Sequence, residues 1–256
     1  MRAIVLSAGQ GRRLRPHTAE IPKCLLAIDG DRSALELQLR ALARCGVEHA
    51  TVAVGFAADR VDQFVKSTPI PGLHVETLYN PFYATSDNLA TCWICRVAMT
   101  SDFVLLNGDT LFEDRVLRQL IDGPRAPVTV TIDHKSTYDD DDMKVSLDPG
   151  GRLRAIGKKL LRSTVGGESI GLLAFRDSGV AAFRDALDRT IRQPTSLGAW
   201  YLSVVNEMAQ RMTVQTASIQ GLWWREIDSP EDLADARISF PRRQVDATAR
   251  DEVASA

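Results

Sequence analysis

A glycine-rich segment near the start of the sequence has the residue types that hold a polyphosphate. Gly9 and Gly11 follow an apolar run, two arginines come next, and Lys23 lies ten residues after Arg13. Glycines allow a tight turn whose N–H groups approach a bound anion, and Arg13 and Lys23 could supply positive charge there. The spacing matches neither the dinucleotide-binding fingerprint nor a Walker P-loop. The pattern indicates a triphosphate-binding loop, with a plain glycine turn and solvated arginines as the alternative.

Two aspartates stand where apolar stretches predicted as strands end. Asp109 follows the stretch Phe103–Asn107, and Asp228 follows residues 223–227. An unpaired carboxylate at the edge of an apolar sheet is costly, so a cation is expected beside it. Mg²⁺ prefers oxygen ligands, typically carboxylates together with substrate phosphates. We predict that Asp109 and Asp228 hold one Mg²⁺; the alternatives are a turn aspartate and an aspartate that supports the helix cap at Ser229.

These residues need a framework that brings distant segments together. Apolar stretches of strand type alternate with helical patterns, and a capping box at Ser33 and Glu36 opens the first predicted helix. This alternation predicts an α/β fold with a Rossmann-like, mostly parallel central sheet and helices on both faces. Ligands of such open sheets lie at the carboxyl ends of the strands. The loop after Leu6, residues 80–88 and Asp109 should therefore share one rim.

The second half of the sequence predicts a small β-hairpin beside this rim. Residues 145–156 alternate apolar and polar positions around a Pro-Gly-Gly turn, and Glu168 opens a later strand that Gly171 interrupts. A glycine inside a strand often marks close approach by a ligand or another backbone. We expect the region from about 133 to 175 to contain a hairpin insertion within a single domain spanning residues 1–240.

Composition and charge argue against several classes of protein. The 256 residues are 45% hydrophobic and carry a net charge of −2, so no basic field favours a nucleic acid partner. The apolar stretches are too short for a signal peptide or a membrane span, so we expect a cytoplasmic protein without a membrane partner. Cys92 and Cys95 share one helical face, which favours core packing over a metal or redox site. Residues 241–256 are charged and small, which is typical of a flexible tail.

The glycine-rich segment, together with Pro22-Lys23-Cys24-Leu25, resembles the signature of the nucleotidyltransferases that activate sugar phosphates and related phosphoesters. The resemblance implies that the loop wraps a nucleoside triphosphate and that Arg13 and Lys23 are the catalytic cations that hold phosphates. Arg12 departs from this signature, which more often has a small hydroxyl residue at that position. The nucleotide-binding residues that it implies are Leu6, Ala8, Gly9, Gly11, Arg12, Ser86, Asn88 and Gly108.

Further segments resemble most the branch of this family that uses CTP. That branch includes phosphocholine, inositol-phosphate and phosphonate cytidylyltransferases. These segments are Asn80-Pro81-Phe82-Tyr83, residues 86–89, residues 142–145, Glu168-Ser169-Ile170-Gly171 and residues 226–233. The branch implies Mg²⁺ on Asp109 and Asp228, with CTP and a small phosphorylated or phosphonate substrate as partners. The resemblance also implies that the hairpin insertion in the region from about 133 to 175 binds the acceptor. The acceptor-binding candidates are Tyr83, Lys144, Glu168, Trp200 and Glu226.

The implied reaction is attack of an acceptor phosphate oxygen on the α-phosphorus of CTP, with release of pyrophosphate. Catalysis is then mainly alignment and neutralisation of charge. Two alternatives remain: a sugar-1-phosphate nucleotidylyltransferase that uses another triphosphate, and a nucleotide-binding regulatory domain without turnover. The acceptor is also open between a cationic group, held by aromatic faces, and a polyol or phosphonate. The oligomeric state is open, with a homodimer as one candidate.

Overall fold

The computed structural model describes residues 1–123 and 125–240. The flexible tail predicted for residues 241–256 lies outside the described residues. Within the described part of the chain, no helix has both the length and the apolar character needed to cross a bilayer.

Strands and helices alternate along the chain, as the sequence predicts. The strands are β1 (Arg2–Ser7), β2 (Ala27–Asp29), β3 (Arg32–Ser33), β4 (His49–Val54), β5 (His74–Tyr79), β6 (Phe103–Asn107), β7 (Thr110–Phe112), β8 (Val128–Asp133), β9 (Lys144–Leu147), β10 (Leu153–Gly157), β11 (Gly167–Phe175), β12 (Val214–Ser218) and β13 (Trp224–Glu226). The α-helices are α1 (Ala34–Arg44), α2 (Ala58–Ser67), α3 (Asn88–Ile94), α4 (Asp114–Asp122), α5 (Ser178–Thr190) and α6 (Tyr201–Ala209), and residues 230–240 form a final helix. Short 3₁₀ turns occur at Arg12–Leu14, Lys23–Leu25, Cys95–Ala98, Arg162–Thr164 and Ser196–Gly198.

The central sheet combines a parallel core with an added hairpin. Its strand order is β10-β9-β11-β6-β1-β4-β5, with β8 paired to β11 and β12 paired to β8. Strands β6, β1, β4 and β5 run parallel, and β11 runs antiparallel to β6 and β8. The predicted hairpin is formed by β9 and β10 at one edge. The expected α/β architecture is therefore confirmed.

Alternate side chains of the strands enter two apolar layers on opposite faces of the sheet, as the two-residue period of a strand requires. In β1, Ile4 belongs to one buried cluster, whereas Ala3 and Val5 belong to the other. The first layer contains side chains of α3, α5 and α6, and the second contains side chains of α1, α2 and α4. Cys92 and Cys95 are buried as free thiols in the first layer, which confirms core packing.

A capping interaction fixes the backbone around Asp228. Ser229 Oγ accepts the N–H of Asp232 at 3.1 Å, and a carboxylate oxygen of Asp232 accepts the N–H of Ser229 at 2.8 Å. The same carboxylate oxygen accepts the N–H of Asp228 at 3.0 Å. Reciprocal bonds of this kind satisfy the free donors at a helix start. The final helix therefore anchors Asp228 as well as itself.

A two-stranded sheet outside the central sheet brings the C-terminal segment to Asp109. Strand β13 pairs antiparallel with β7, which places Glu226 opposite Thr110. The N–H of Ile227 donates to the carbonyl of Asp109 at 3.0 Å. Residues that are more than a hundred positions apart in the sequence are thereby held side by side.

Two glycines allow the strand ends to approach one another closely. An added Cβ at Gly55 would lie 2.5 Å from the Cβ of Tyr83 and 2.6 Å from the carbonyl oxygen of Ala8. An added Cβ at Gly108 would lie 2.1 Å from Ser7 Oγ. The rim that holds the predicted site residues is therefore packed too tightly for a side chain at either position.

Gly55→Ala should lower the free energy of unfolding by about 1–3 kcal/mol, because the added methyl group overpacks against the backbone of Ala8. Chemical denaturation of both proteins measures this difference. Gly198→Ala is the matched control, since an added Cβ there meets no atom within 4 Å. Equal stabilities for the two variants would contradict the packing described at the rim.

Candidate active site

The carboxyl ends of β1 and β6 and the amino end of β11, which runs antiparallel to β6, border a cleft of about 1030 Å³. All residues predicted from the sequence to form the site, except Lys144, line this cleft. They are Leu6, Ala8, Gly9, Gly11, Arg12, Arg13, Lys23, Tyr83, Ser86, Asn88, Gly108, Asp109, Glu168, Trp200, Glu226 and Asp228. The rule that ligands of open sheets lie at the carboxyl ends of strands therefore located the cleft correctly.

Lys144 differs in position from the other predicted site residues. Its side chain is buried, and its Nζ donates to the carbonyl oxygens of Lys158 at 3.0 Å and Asp142 at 3.4 Å. These two carbonyl groups lie just before β9 and just after β10, so the Lys144 ammonium connects the two ends of the β9–β10 hairpin. Lys144 is not among the residues that line the cleft, and its contact with the acceptor stays a prediction.

Lys23 joins the two aspartates predicted to bind metal. Its Nζ lies 2.7 Å from Asp109 Oδ2 and 2.5 Å from Asp228 Oδ1, and Arg13 Nη2 lies 2.7 Å from Asp228 Oδ2. Burial disfavours the charged ammonium of Lys23, but the negative charges of Asp109 and Asp228 outweigh it and raise its pKa. The four residues singled out from the sequence therefore form one network of ion pairs.

Glu226 belongs to the same centre. Single carboxylate oxygens of Asp109, Glu226 and Asp228 lie within 4.8 Å of one another. Although Glu226 is open to the cleft, neighbouring protein atoms desolvate its carboxyl group, and this effect, with the charges of Asp109 and Asp228, raises its pKa to about 8. Glu226 is predicted from the sequence as an acceptor-binding residue; its proximity to the two aspartates follows from the pairing of β13 with β7, which the sequence alone does not show.

The donor set at this centre fits a divalent metal ion such as Mg²⁺. Three carboxylates supply hard oxygen ligands. Asp109 Oδ1 is buried and has no hydrogen-bond partner within residues 1–123 and 125–240. A buried carboxylate oxygen without a partner is costly in the absence of a cation. The arrangement therefore suits coordination of a metal ion beside Lys23.

The glycine-rich loop is fixed on one side and open on the other. Gly11 has a left-handed backbone with φ 57°, and the hydroxyl of Thr18 donates to its carbonyl at 2.6 Å. At Gly9, an added Cβ meets no atom within 4 Å, which leaves room for a ligand to approach the backbone. The Arg12 side chain donates to Gln10 at 3.3 Å, so the two adjacent arginines point to different partners.

The segment 80–88 forms a wall of the cleft together with the start of α6. A carboxylate oxygen of Asp87 accepts Trp200 Nε1–H at 2.9 Å, and Asn88 Oδ1 accepts the N–H of Tyr201 at 2.9 Å. Tyr201 is fully buried, whereas Trp200 retains 37% of its surface. The predicted nucleotide-binding segment and the predicted acceptor aromatic residue are therefore coupled by direct hydrogen bonds.

A second group of charges lies on the β11 side of the cleft. Lys135 Nζ lies 2.7 Å from Glu168 Oε1 and 3.2 Å from Asp142 Oδ1. Burial raises the pKa of Glu168 to about 7, although the Lys135 charge opposes this shift. Lys158 Nζ lies 4.7 Å from the centre of the Trp200 ring. The sequence reasoning missed Lys135, which follows β8 in a loop without a recognisable motif.

The fold is that of solved nucleotidyltransferase structures. The inositol-1-phosphate CTP transferase from T. maritima has the same fold, with a TM-score of 0.74 at 21% identity over 90% of each chain. The chain belongs to the family of MobA-like NTP transferase domains, whose sequence profile matches residues 3–195. The nucleotidyltransferase family predicted from the sequence is therefore confirmed.

Two curated relatives match most of this chain but are themselves longer. A CMP-5′-(3-aminopropyl)phosphonate synthase from Streptomyces rubellomurinus is 29% identical over 95% of this chain and 40% of the relative. Mannose-1-phosphate guanyltransferase beta-B from Xenopus laevis is 27% identical over 91% of this chain and 62% of the relative. The chain thus spans about half the length of these relatives.

Glu168→Gln should change the pH dependence of stability. The Glu168 pKa is raised from 4.5 in the unfolded chain to about 7 by burial, so its ionisation destabilises the folded state progressively between these values. The variant should therefore gain roughly 3 kcal/mol relative to the wild type between about pH 5 and about pH 8.

Urea denaturation at those two pH values measures this gain. Glu231→Gln, at an exposed position of the final helix, is the control. A stability difference between Glu168→Gln and the wild type that does not vary with pH would show that Glu168 ionises in the folded protein as it does in water.

Proposed function

We propose that this chain is a Mg²⁺-dependent cytidylyltransferase, which transfers CMP from CTP to a small phosphorylated alcohol or phosphonate and releases pyrophosphate. The observation that supports this most is the position of Lys23 between Asp109 and Asp228, in the same cleft as the glycine-rich loop. In this proposal, residues 1–240 form one catalytic domain.

Asp109, Asp228 and Glu226 are the proposed metal ligands. When bound, Mg²⁺ supplies Lewis-acid polarisation of phosphate oxygens and a template for the attack. Glu226 moves from the predicted acceptor set to the metal set because its carboxylate lies with those of both aspartates. Metal binding would also favour the ionised form of Glu226, whose pKa is otherwise raised to about 8.

Lys23 and Arg13 neutralise charge during the proposed transfer. An oxygen of the acceptor phosphate forms a bond to the α-phosphorus while the bond from that phosphorus to the pyrophosphate oxygen breaks. The attacking phosphate is already ionised, so no protein base is required. Lys23 offsets the repulsion between the acceptor phosphate and the α-phosphate, and Arg13 steadies the departing pyrophosphate.

The preference for CTP is supported by the relatives rather than by a contact to the base. The names of the Streptomyces synthase and of the T. maritima transferase contain CMP and CTP, respectively. Ser86 and Asn88 line the cleft and supply a hydroxyl and an amide for the base and ribose. Leu6, Ala8 and the loop glycines complete the proposed nucleotide site.

A zwitterionic acceptor of the phosphocholine type is supported by the side chains on the β11 side of the cleft. Glu168 and the Trp200 ring are each already in contact with a lysine ammonium, those of Lys135 and Lys158. Carboxylates and aromatic faces that hold an ammonium are also suited to a choline or amine group of a substrate. Tyr83 lines the same cleft.

A sugar-1-phosphate nucleotidylyltransferase is the second candidate function. It is favoured by the similarity to the Xenopus guanyltransferase, whose name specifies mannose 1-phosphate. A regulatory domain without turnover is less well supported, because Arg13, Lys23, Asp109 and Asp228 are all present and in contact.

The wild-type protein should release pyrophosphate faster with CTP than with ATP, GTP or UTP. A coupled pyrophosphate assay should test phosphocholine, 2-aminoethylphosphonate, inositol 1-phosphate, mannose 1-phosphate and glucose 1-phosphate as acceptors. Turnover with CTP and one of the first three acceptors is expected. Turnover confined to a hexose phosphate would establish the second candidate, and no turnover with any pair would contradict the proposed function.

Asp109→Ala should lower kcat by at least about a thousandfold, because the proposed metal site loses a ligand and Lys23 loses one of its two carboxylate partners. The assay is repeated with EDTA and with added Mg²⁺, and circular dichroism verifies the fold. Asp185→Ala, on an exposed part of α5, is the control. Wild-type activity in Asp109→Ala would contradict the proposal that Asp109 is a metal ligand.

A further inference from the structure

Gly171 marks the place where β11 meets the end of β6. Its φ is +71°, and an added Cβ would lie 2.2 Å from Asn107 Nδ2 and 2.7 Å from Asn107 Cγ. The pairing of β11 with β8 changes register between Ser169 and Leu173, on either side of this glycine. A glycine in a bulge of this kind admits a close neighbour. The absence of a side chain at Gly171 therefore leaves the space that the Asn107 amide occupies.

Tyr201 orients the Asn107 amide. The hydroxyl of Tyr201, whose ring is fully buried, donates to Asn107 Oδ1 at 3.3 Å. Because this bond uses the amide oxygen, the Nδ2 side of the amide is the one that lies against Gly171. Across the described ranges, Nδ2 has no protein acceptor, and Asn107 lines the cleft. The amide N–H groups are therefore available to a ligand.

Ser169 provides a second donor at the same place. Its Oγ accepts the N–H of Gly171 at 3.4 Å, and the residue lines the cleft. A hydroxyl that accepts a backbone N–H keeps its own proton for donation. Two uncharged donors thus surround one glycine, and we call Asn107, Ser169 and Gly171 the Gly171 corner.

The Gly171 corner lies on the acceptor side of the proposed metal site. Asn107 ends β6 two residues before Asp109, and its side chain lies against β11. The glycine-rich loop follows β1, which flanks β6 on the opposite side from β11 in the sheet. A ligand group at the corner is therefore separated from the triphosphate loop by the width of a strand.

We infer that the Gly171 corner binds an anionic oxygen of the acceptor's phosphate or phosphonate group, with Asn107 Nδ2 as the principal donor and Tyr201 as its positioning residue. This inference rests on the proposed function. Amide and hydroxyl donors suit a phosphoryl oxygen, and fixed donors that need no reorganisation are effective in aligning a reacting group. The corner would bind the anionic group that phosphate and phosphonate acceptors share, and it would not contact the head group.

The test uses phosphocholine and 2-aminoethylphosphonate as acceptor probes at saturating CTP. Asn107→Ala should lower kcat/KM for the acceptor about 10- to 100-fold, and Asn107→Asp should lower it further because a carboxylate repels the anion. Ser169→Ala and Tyr201→Phe should each cost roughly 3- to 10-fold, since one donor or its orienting bond is lost. The KM for CTP should change by less than about twofold in every variant, because the corner lies on the acceptor side.

Asn206→Asp is the matched control for the added charge. Asn206 lies outside the cleft lining, and its Oδ1 accepts the N–H of Ile156 at 2.9 Å, a bond that an aspartate retains. Thermal melting verifies that each variant is folded, and Asn107→Asp, which is isosteric, keeps the test valid if Asn107→Ala unfolds.

Three results would overturn the inference while leaving the proposed function in place. They are wild-type kcat/KM in Asn107→Asp, a rise in the KM for CTP instead of that for the acceptor, and a loss confined to one of the two probes. An inert wild-type protein would instead contradict the proposed function, and the inference would fall with it.

Discussion

The close approach of three carboxylates around Lys23 is the constraint on which the rest of the structure depends. Asp109, Glu226 and Asp228 place oxygens within 4.8 Å of one another, and Lys23 Nζ lies between the two aspartates. Like charges at such separations repel by kilocalories per mole unless a cation lies among them. Lys23 and Arg13 supply two positive charges for the three carboxylates, so the centre carries a net negative charge when Glu226 is ionised. The site is therefore held ready for further positive charge by the same contacts that stabilise the fold around it.

The elements around the carboxylates are built to keep them from separating. Asp109 is fixed by β6, and Asp228 is fixed by the reciprocal cap between Ser229 and Asp232. The pairing of β13 with β7 then joins these two supports directly. Preorganised groups of this kind are worth more to catalysis than mobile ones, because no energy is spent in aligning them during the reaction.

The sequence reasoning located Asp109, Asp228, Arg13 and Lys23 because each lies at a position defined by a local pattern. A strand followed by a carboxylate, and a glycine turn followed by cations, are visible within a few residues, and the sheet rule then brings them together. The proximity of Glu226 to both aspartates could not be predicted, because it depends on which strand β13 pairs with, and no local pattern states that. The burial of Lys144 could not be predicted for a similar reason, since it follows from the closure of the β9–β10 hairpin.

The contrast between charged and uncharged groups in the cleft has a consequence for the proposed reaction. Arg13 and Lys23 lie with the proposed metal ligands, where the proposed reaction would place charge on the leaving pyrophosphate, whereas Asn107 and Ser169 carry no charge. A cation bound tightly to the attacking oxygen would stabilise the bound acceptor as much as the transition state and would weaken the nucleophile. In the proposed reaction, uncharged donors would orient the acceptor phosphate and leave its charge available for attack. An acceptor phosphate held in this way would keep its nucleophilic character as it approaches the α-phosphorus. Lys23 would then need to offset only the repulsion between the acceptor phosphate and the α-phosphate.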